Sequence, residues 1–324
     1  MLRQVTFGPM FVGIHGILGK PWRSGKVWCA ILTCLFASSA MAQARDHDTL
    51  TVKTCSRCLG WTIGGAAVGI AGSYAALDQA WYAQYDRSPL HGFNDGNEWF
   101  QMDKTGHVFS SYTLGKWGHA MMSHCGANRG TARWIGGSLG LAFLTGVEFL
   151  DGTSAEWGFS GWDMAANLFG TSLFIGQDLA WSEQRIQVKL SAHFTSYAEQ
   201  RPDLLGTGAA ERILKDYNGM TLWLSGNIAA LSGRKRVPAW LNLAFGYGAE
   251  GMTTALPQQF GADGRVGESP YRQYYLSPDI DLTRIKTKSK AVRTALFVLN
   301  SVKVPAPALE VRSTGKVVGH WLFF

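Results

Sequence analysis

The sequence predicts a mainly α-helical protein. The expected fold is a Gly-rich, membrane-associated bundle of about four helices over residues 45–183, then a mixed α/β region with short strands over 184–324. Three observations carry this. Charged residues make up only 16% of the chain, against roughly 25% in ordinary soluble proteins, while Gly (39) and Trp (13) are plentiful. Four helix-length segments of low charge follow one another between Cys58 and Leu179. Beyond Trp181 the pattern becomes an apolar–polar alternation of period two with Tyr, Trp, Thr and Ile, the mark of strands.

Ahead of the bundle, Lys20, Arg23 and Lys26 precede the apolar run "VWCAILTCLFASSAM", which closes on the small residues of "AMAQA". A basic region, an apolar core and a small-residue site make a secretory signal, with cleavage expected after Ala42 or Ala44. "ILTC" around Cys34 is a poor lipobox, so acylation there is not expected. The protein is expected to be exported to the periplasmic side of a bacterial membrane, associated with it or embedded in it. The net charge of +7 comes from scattered Lys and Arg with no basic run interleaved with aromatics, which argues against nucleic acid.

The first helix of the bundle is "CLGWTIGGAAVGIAGSYAAL", Cys58–Leu77, twenty residues without a charge, long enough to span a bilayer but rich in glycine. The second is expected over Lys104–Met122, the third over Ala132–Phe149 and the fourth over Asp163–Leu179. Strands are expected in "RIQVKLSAHF", "GMTLWLSGNI", "LNLAFGYG" and "YYLSPDIDL", a helix in "SKAVRTALFVLNSV", and a closing hairpin around Ser313–Gly315. The final aromatic alternation is similar to the last strand of an outer-membrane barrel, but too few ten-residue alternating segments are present for such a barrel. Of the cysteines left after cleavage, Cys55 and Cys58 have C-x-x-C spacing without a second pair for zinc, so a local disulfide is expected, with Cys125 a lone thiol.

Polar residues gather at three helix ends. Asp103 and His107 lie one turn apart at the head of the second helix, beside Lys104. Glu148 and Asp151 close the third. Ser160 and Asp163 have capping-box spacing at the head of the fourth, with Asn167 one turn on. In an up-down bundle these ends lie together. Each also has a plainer explanation: Asp103 as an N-cap with Lys104 solvated, Ser160 and Asp163 as a cap, Glu148 and Asp151 as solvated loop residues.

"DKTGH", then "VEFLDG", then "WGFSGWDMAANLFG" resembles the YfiM-like family of predicted bacterial envelope proteins, described as periplasmic lipoproteins. More distantly it is similar to VanZ-like membrane proteins, whose pattern of D-K-x-x-H, a Glu, then a Ser with D-x-x-x-N-x-x-G falls on Asp103, Lys104, His107, Glu148, Ser160, Asp163, Asn167 and Gly170. The resemblance spans about Asn97–Asp178 and implies an envelope location without naming a reaction. The leading expectation is an envelope protein that binds a membrane lipid or cell-wall head group through this cluster, Lys104 meeting an anionic group. No cofactor is expected in that case. The alternatives are a divalent-metal-dependent hydrolase built on the same residues and a purely structural protein in which they lock the helices. Against a metal, the repeated Glu-x-x-His of di-metal bundles is missing, and His119 and His124 are poorly placed to share a face.

Overall fold

The computed structural model describes residues 54–83, 85–234, 236–256 and 269–324; the signal region, with Cys29 and Cys34, lies outside them. Helix α1 (Ser56–Leu77) leads through a π turn (Asp78–Tyr82) to a short strand β1 (Gly92–Phe93). α2 (Met102–His124) is the central helix. A helical turn (Arg129–Thr131) and a π turn (Ala132–Gly136) lead to α3 (Leu139–Gly152). β2 (Phe159–Ser160) pairs with β1 in parallel and opens α4 (Gly161–Trp181).

β3 (Ile186–Ala192) is followed by the short helices α5 (Tyr197–Gln200), α6 (Pro202–Leu205) and α7 (Ala209–Lys215). Then come β4 (Met220–Asn227), α8 (Ile228–Ser232), β5 (Leu241–Glu250), β6 (Tyr271–Ile280), α9 (Lys290–Leu299), β7 (Ala306–Arg312) and β8 (Val317–Phe323).

The expected four-helix bundle is not what forms. Among the described residues, nine helices accompany a six-stranded antiparallel sheet in the order β3-β4-β5-β6-β7-β8. The period-two segments, seven to ten residues long, pair one after the next, so they make one meander rather than scattered short strands. No described helix is long and apolar enough to cross a membrane. α1 is long enough, but five glycines dilute its apolar content, and none of its residues is buried. It touches the rest at its two ends, where Tyr74 stacks on Phe143 and donates to its carbonyl at 2.7 Å.

The disulfide joins Cys58 to Cys125, not Cys55 to Cys58. Cys55 is the N-cap of α1, and its Sγ accepts the Cys58 N–H at 3.3 Å. Cys58, one turn inside, has its Cα 5.4 Å from that of Cys125 at the end of α2, within bridging range.

α2, α3 and α4 approach closely through glycine. A Cβ on Gly170 of α4 would overlap Ser111 Oγ and the Val108 carbonyl of α2. One face of the α2–α4 pair covers the outside of the sheet at β3, where Tyr112, Phe174, Ile175 and Val188 form a core with Leu222 of β4 against it. The head of α2 is reached through an unusual bend: Trp99 (φ 47°), Phe100 (φ 49°) and Gln101 (φ 66°) form a left-handed turn. It is held because the Phe100 carbonyl accepts from Arg272 Nη1 at 3.0 Å and from the Tyr247 hydroxyl, both on the sheet. Met102 then packs on Ala249 of β5 and on Met220 and Met252.

Candidate functional site

Lys104 turns back from the first turn of α2 into a nest of carboxylates. Its Nζ lies 2.5 Å from Asp95 Oδ2, 2.9 Å from Asp103 Oδ2 and 2.9 Å from Asp163 Oδ1. Burial alone would depress its pKa, but Asp103 and Asp163 outweigh that and hold it firmly charged.

His107, one turn along α2, faces both sides of the nest. Its Nδ1 is 3.0 Å from Asn167 Oδ1 and 3.7 Å from Glu148 Oε1, while Nε2 is 3.8 Å from Asp103 Oδ1 and 3.8 Å from Asp163 Oδ1. With Nδ1–H donated to Asn167, the neutral ring keeps its Nε2 lone pair towards the two aspartates. Burial works against protonation of this ring, and Asp103, Asp163 and Glu148 together win, so its pKa is raised.

Local chemistry explains how the carboxylates are held. Ser160 is the N-cap of α4, its Oγ accepting the Asp163 N–H at 3.1 Å and donating to Asp95 Oδ1 at 2.6 Å. A full capping box would return the Asp163 side chain to the Ser160 N–H. Instead that N–H donates to Glu148 Oε2 at 3.1 Å, which frees Asp163 for Lys104 and His107. Asp103 is not the N-cap of α2; Gln101 holds that position, and Asp103 Oδ1 accepts from the Tyr217 hydroxyl at 3.0 Å.

The cluster carries more acid than base. Asp95, Asp103, Glu148, Asp151 and Asp163 face Lys104 and His107, an excess of three negative charges were all ionised. Protons relieve it. Burial lifts Glu148 to about 7 and Asp151 to about 6, and burial with repulsion from Asp103 lifts Asp163 to about 8. Asp103 stays below the usual carboxylate range: burial opposes ionisation, but His107 and Lys104 prevail. Asp95 is lowered too, because hydrogen bonds from Asp163, Lys104 and Ser160 overcome its burial. Among the described residues, Glu148 Oε1 and Asn167 Nδ2 have no hydrogen-bond partner, and Asp163 Oδ1 accepts no directed hydrogen bond although Lys104 is near. Glu148 is only 1% exposed.

The structure thus brings Asp103, Lys104, His107, Glu148, Ser160, Asp163 and Asn167 to one place. It sets Asp151 to one side, where Tyr82 OH donates to it at 2.6 Å. Sequence reasoning missed Asp95, Tyr217 and Tyr82. Asp95 lies in the loop "FNDGNEW", outside any periodic pattern, and Tyr217 is 114 residues from Asp103, so neither left a local signal.

Chemically, one oxygen each of Asp103 and Asp163 and one nitrogen of His107 lie within 4.8 Å of one another, a set able to hold a metal ion. The two 3.8 Å edges from His107 Nε2 are a few tenths wider than the roughly 3.4 Å between ligands of a tetrahedral ion at about 2.1 Å. Lys104 does not suit an anionic head group, because three carboxylates already surround its charge.

Residues 92–175 match the family of predicted periplasmic lipoproteins, DUF2279, in agreement with the motifs of this segment. The match supports an envelope protein without a stated activity; the more distant VanZ-like resemblance finds no support. No curated protein and no solved structure matches the chain.

Proposed function

We propose that this envelope protein holds a divalent transition-metal ion on Asp103 Oδ1, Asp163 Oδ1 and His107 Nε2. The observation that carries the reading is the orientation of His107: Asn167 Oδ1 accepts from Nδ1–H, so Nε2 is left to face two carboxylates at 3.8 Å each. An imidazole whose other nitrogen donates to a fixed acceptor is the usual form of a metal-binding histidine. A mixed nitrogen and carboxylate set suits zinc or manganese better than calcium.

Three protein ligands leave a coordination position for water, the arrangement of catalytic rather than structural sites. A bound ion would supply Lewis acidity there. Lys104 would keep Asp103 and Asp163 in place, while Asp95 and Ser160 hold Lys104 and the head of α4. Hydrolysis of an envelope ester or phosphoester is the reaction class such a site favours.

Isothermal titration of the chelator-treated full chain with zinc and with manganese tests this. One ion per chain should bind, with affinity rising from pH 6 to pH 8 as His107 and Asp163 give up protons. His107→Ala should abolish binding while retaining the fold. Absence of binding in the wild type, or equal binding in His107→Ala, would leave the cluster without an ion, and the residues would then be a structural lock.

A further inference from the structure

The six-stranded sheet keeps an inner-face core of Trp223, Ala244, Tyr275 and Ala308, yet it also buries charge inward and turns apolar side chains outward. Antiparallel sheets with one solvated face normally turn apolar side chains inward and polar ones outward. Here the inner face carries the ion pair Lys189–Asp279 at 2.7 Å, with both side chains 0% exposed. The same face holds Glu310, bonded to His320 and Arg312, and Ser225, whose hydroxyl donates to Asp279 at 2.6 Å.

The outer face is apolar. Leu224, Phe245, Leu276 and Leu309 are register partners across β4, β5, β6 and β7, and all four are exposed. The row on one side of them includes Tyr274 and Val311, and the row on the other includes Leu243 and Pro278. α2 and α4 cover the outside at β3, and the uncovered part carries no charge between Tyr274 and Ile280 of β6 apart from the inward Asp279.

One end of the sheet is strongly basic. The connections that follow β4 and β6 meet there, since Leu241 pairs with Ile280 and the Asp281 N–H donates to the Trp240 carbonyl at 2.8 Å. They expose Arg234, Arg236, Lys286, Lys288 and Lys290. Beside them an apolar cleft opens between Trp240, Ile280 and Ile285, with Arg284 and Lys286 on its rim. The acids of this end are engaged: Glu183 pairs with Arg185 and Arg284, and Asp281 pairs with Arg284.

We propose that the outer face of β4–β7 docks into one leaflet of an anionic bilayer, its basic end at the head groups. An outward-facing apolar band is the pattern of strands that meet lipid. From Tyr274 to Ile280 the apolar band runs about 20 Å along β6 at about 3.3 Å per residue. At a strand tilt of about 45° that is about 14 Å deep, matching one leaflet of a hydrocarbon core about 30 Å thick. The basic end supplies charge complementarity, and Trp240 at its edge suits the interface. The docking does not depend on the metal site, which lies by Tyr217 at the other end of β4.

The test is flotation of the full chain with vesicles of phosphatidylcholine alone and of equal parts phosphatidylcholine and phosphatidylglycerol. The wild type should float with the anionic vesicles and weaken with salt. The pair Phe245→Ser and Leu276→Ser should remove flotation while thermal melting of the inner-face core persists. The pair Lys286→Gln and Lys288→Gln should lower partitioning roughly thirtyfold, taking about 1 kcal/mol per basic residue at the surface. Failure of the wild type to float, or full flotation of the serine pair, overturns the proposal. So does a wild-type dimer that the serine pair dissociates in the absence of vesicles, for then the face is covered by a second copy.

Discussion

Glu148→Gln gives the most direct reading of the cluster. Its carboxyl rises from 4.5 to about 7, chiefly through burial, which corresponds to roughly 3 kcal/mol of preference for the protonated form in the folded chain. The folded state therefore binds a proton that the unfolded state has released between about pH 4.5 and 7, and unfolding free energy falls as pH rises through that window. His107 contributes with the same sign. Its raised pKa gives stability that is complete below the unfolded value and lost as pH climbs through the folded one. Asp163, raised to about 8, extends the loss upward.

Gln at 148 keeps an oxygen for the Ser160 N–H but has no charge to acquire. Urea denaturation followed by circular dichroism at pH 5, 6, 7 and 8, in chelator, measures the difference. The wild type should lose several kcal/mol between pH 5 and 8, and Glu148→Gln should lose roughly 2.5 kcal/mol less. Parallel profiles for the two proteins would refute the assignment of a buried, protonated Glu148.

Gly170→Ala should cost about 1–3 kcal/mol by pushing α4 off Ser111 and Val108, and should weaken metal binding by moving Asn167 away from His107, read by calorimetry. Cys125→Ser, opening the link across 67 residues, should destabilise the chain by roughly 4 kcal/mol in urea titration, and dithiothreitol should do the same to the wild type only. Asp178→Asn leaves Arg129 and Arg133 short of the carboxylate they meet at 2.6 and 2.5 Å, and should cost about 2 kcal/mol at neutral pH. Asp178 is held below its usual range by those arginines against its burial. Its contribution is therefore present above the unfolded value and lost in acid, so the two proteins' stabilities should converge at low pH.

The cluster was legible where its spacing was helical. Asp103 with His107, and Ser160 with Asp163 and Asn167, are one-turn relations that any helix must honour, and Gly170 of α4 brings the two helices together. What a helical wheel cannot hold was lost: Asp95 arrives from a loop, Tyr217 from beyond three short helices. The Cys55–Cys58 expectation failed for a related reason, because spacing along the chain says nothing of Cys125 waiting at the end of another helix. In the sheet, alternation located the strands but not their polarity. A period of two states that two faces differ, while which face turns inward depends on what surrounds the sheet. Low charge and abundant glycine do not single out a helical bundle, because part of the apolar content belongs to the outer face of strands.

The left-handed turn at Trp99–Gln101 makes the head of α2 a loaded spring. Each of its three residues gives up about 1–2 kcal/mol to hold a hand that L-residues resist. The catch is the Phe100 carbonyl, gripped by Arg272 and Tyr247. Asp103 and Lys104 stand two and three residues past the Trp99–Gln101 turn's last residue, so the aim of the α2 half of the cluster is set by a grip made on β5 and β6. Whatever shifts those two strands therefore loosens the catch and, with it, the placement of Asp103, Lys104 and His107 against α3 and α4.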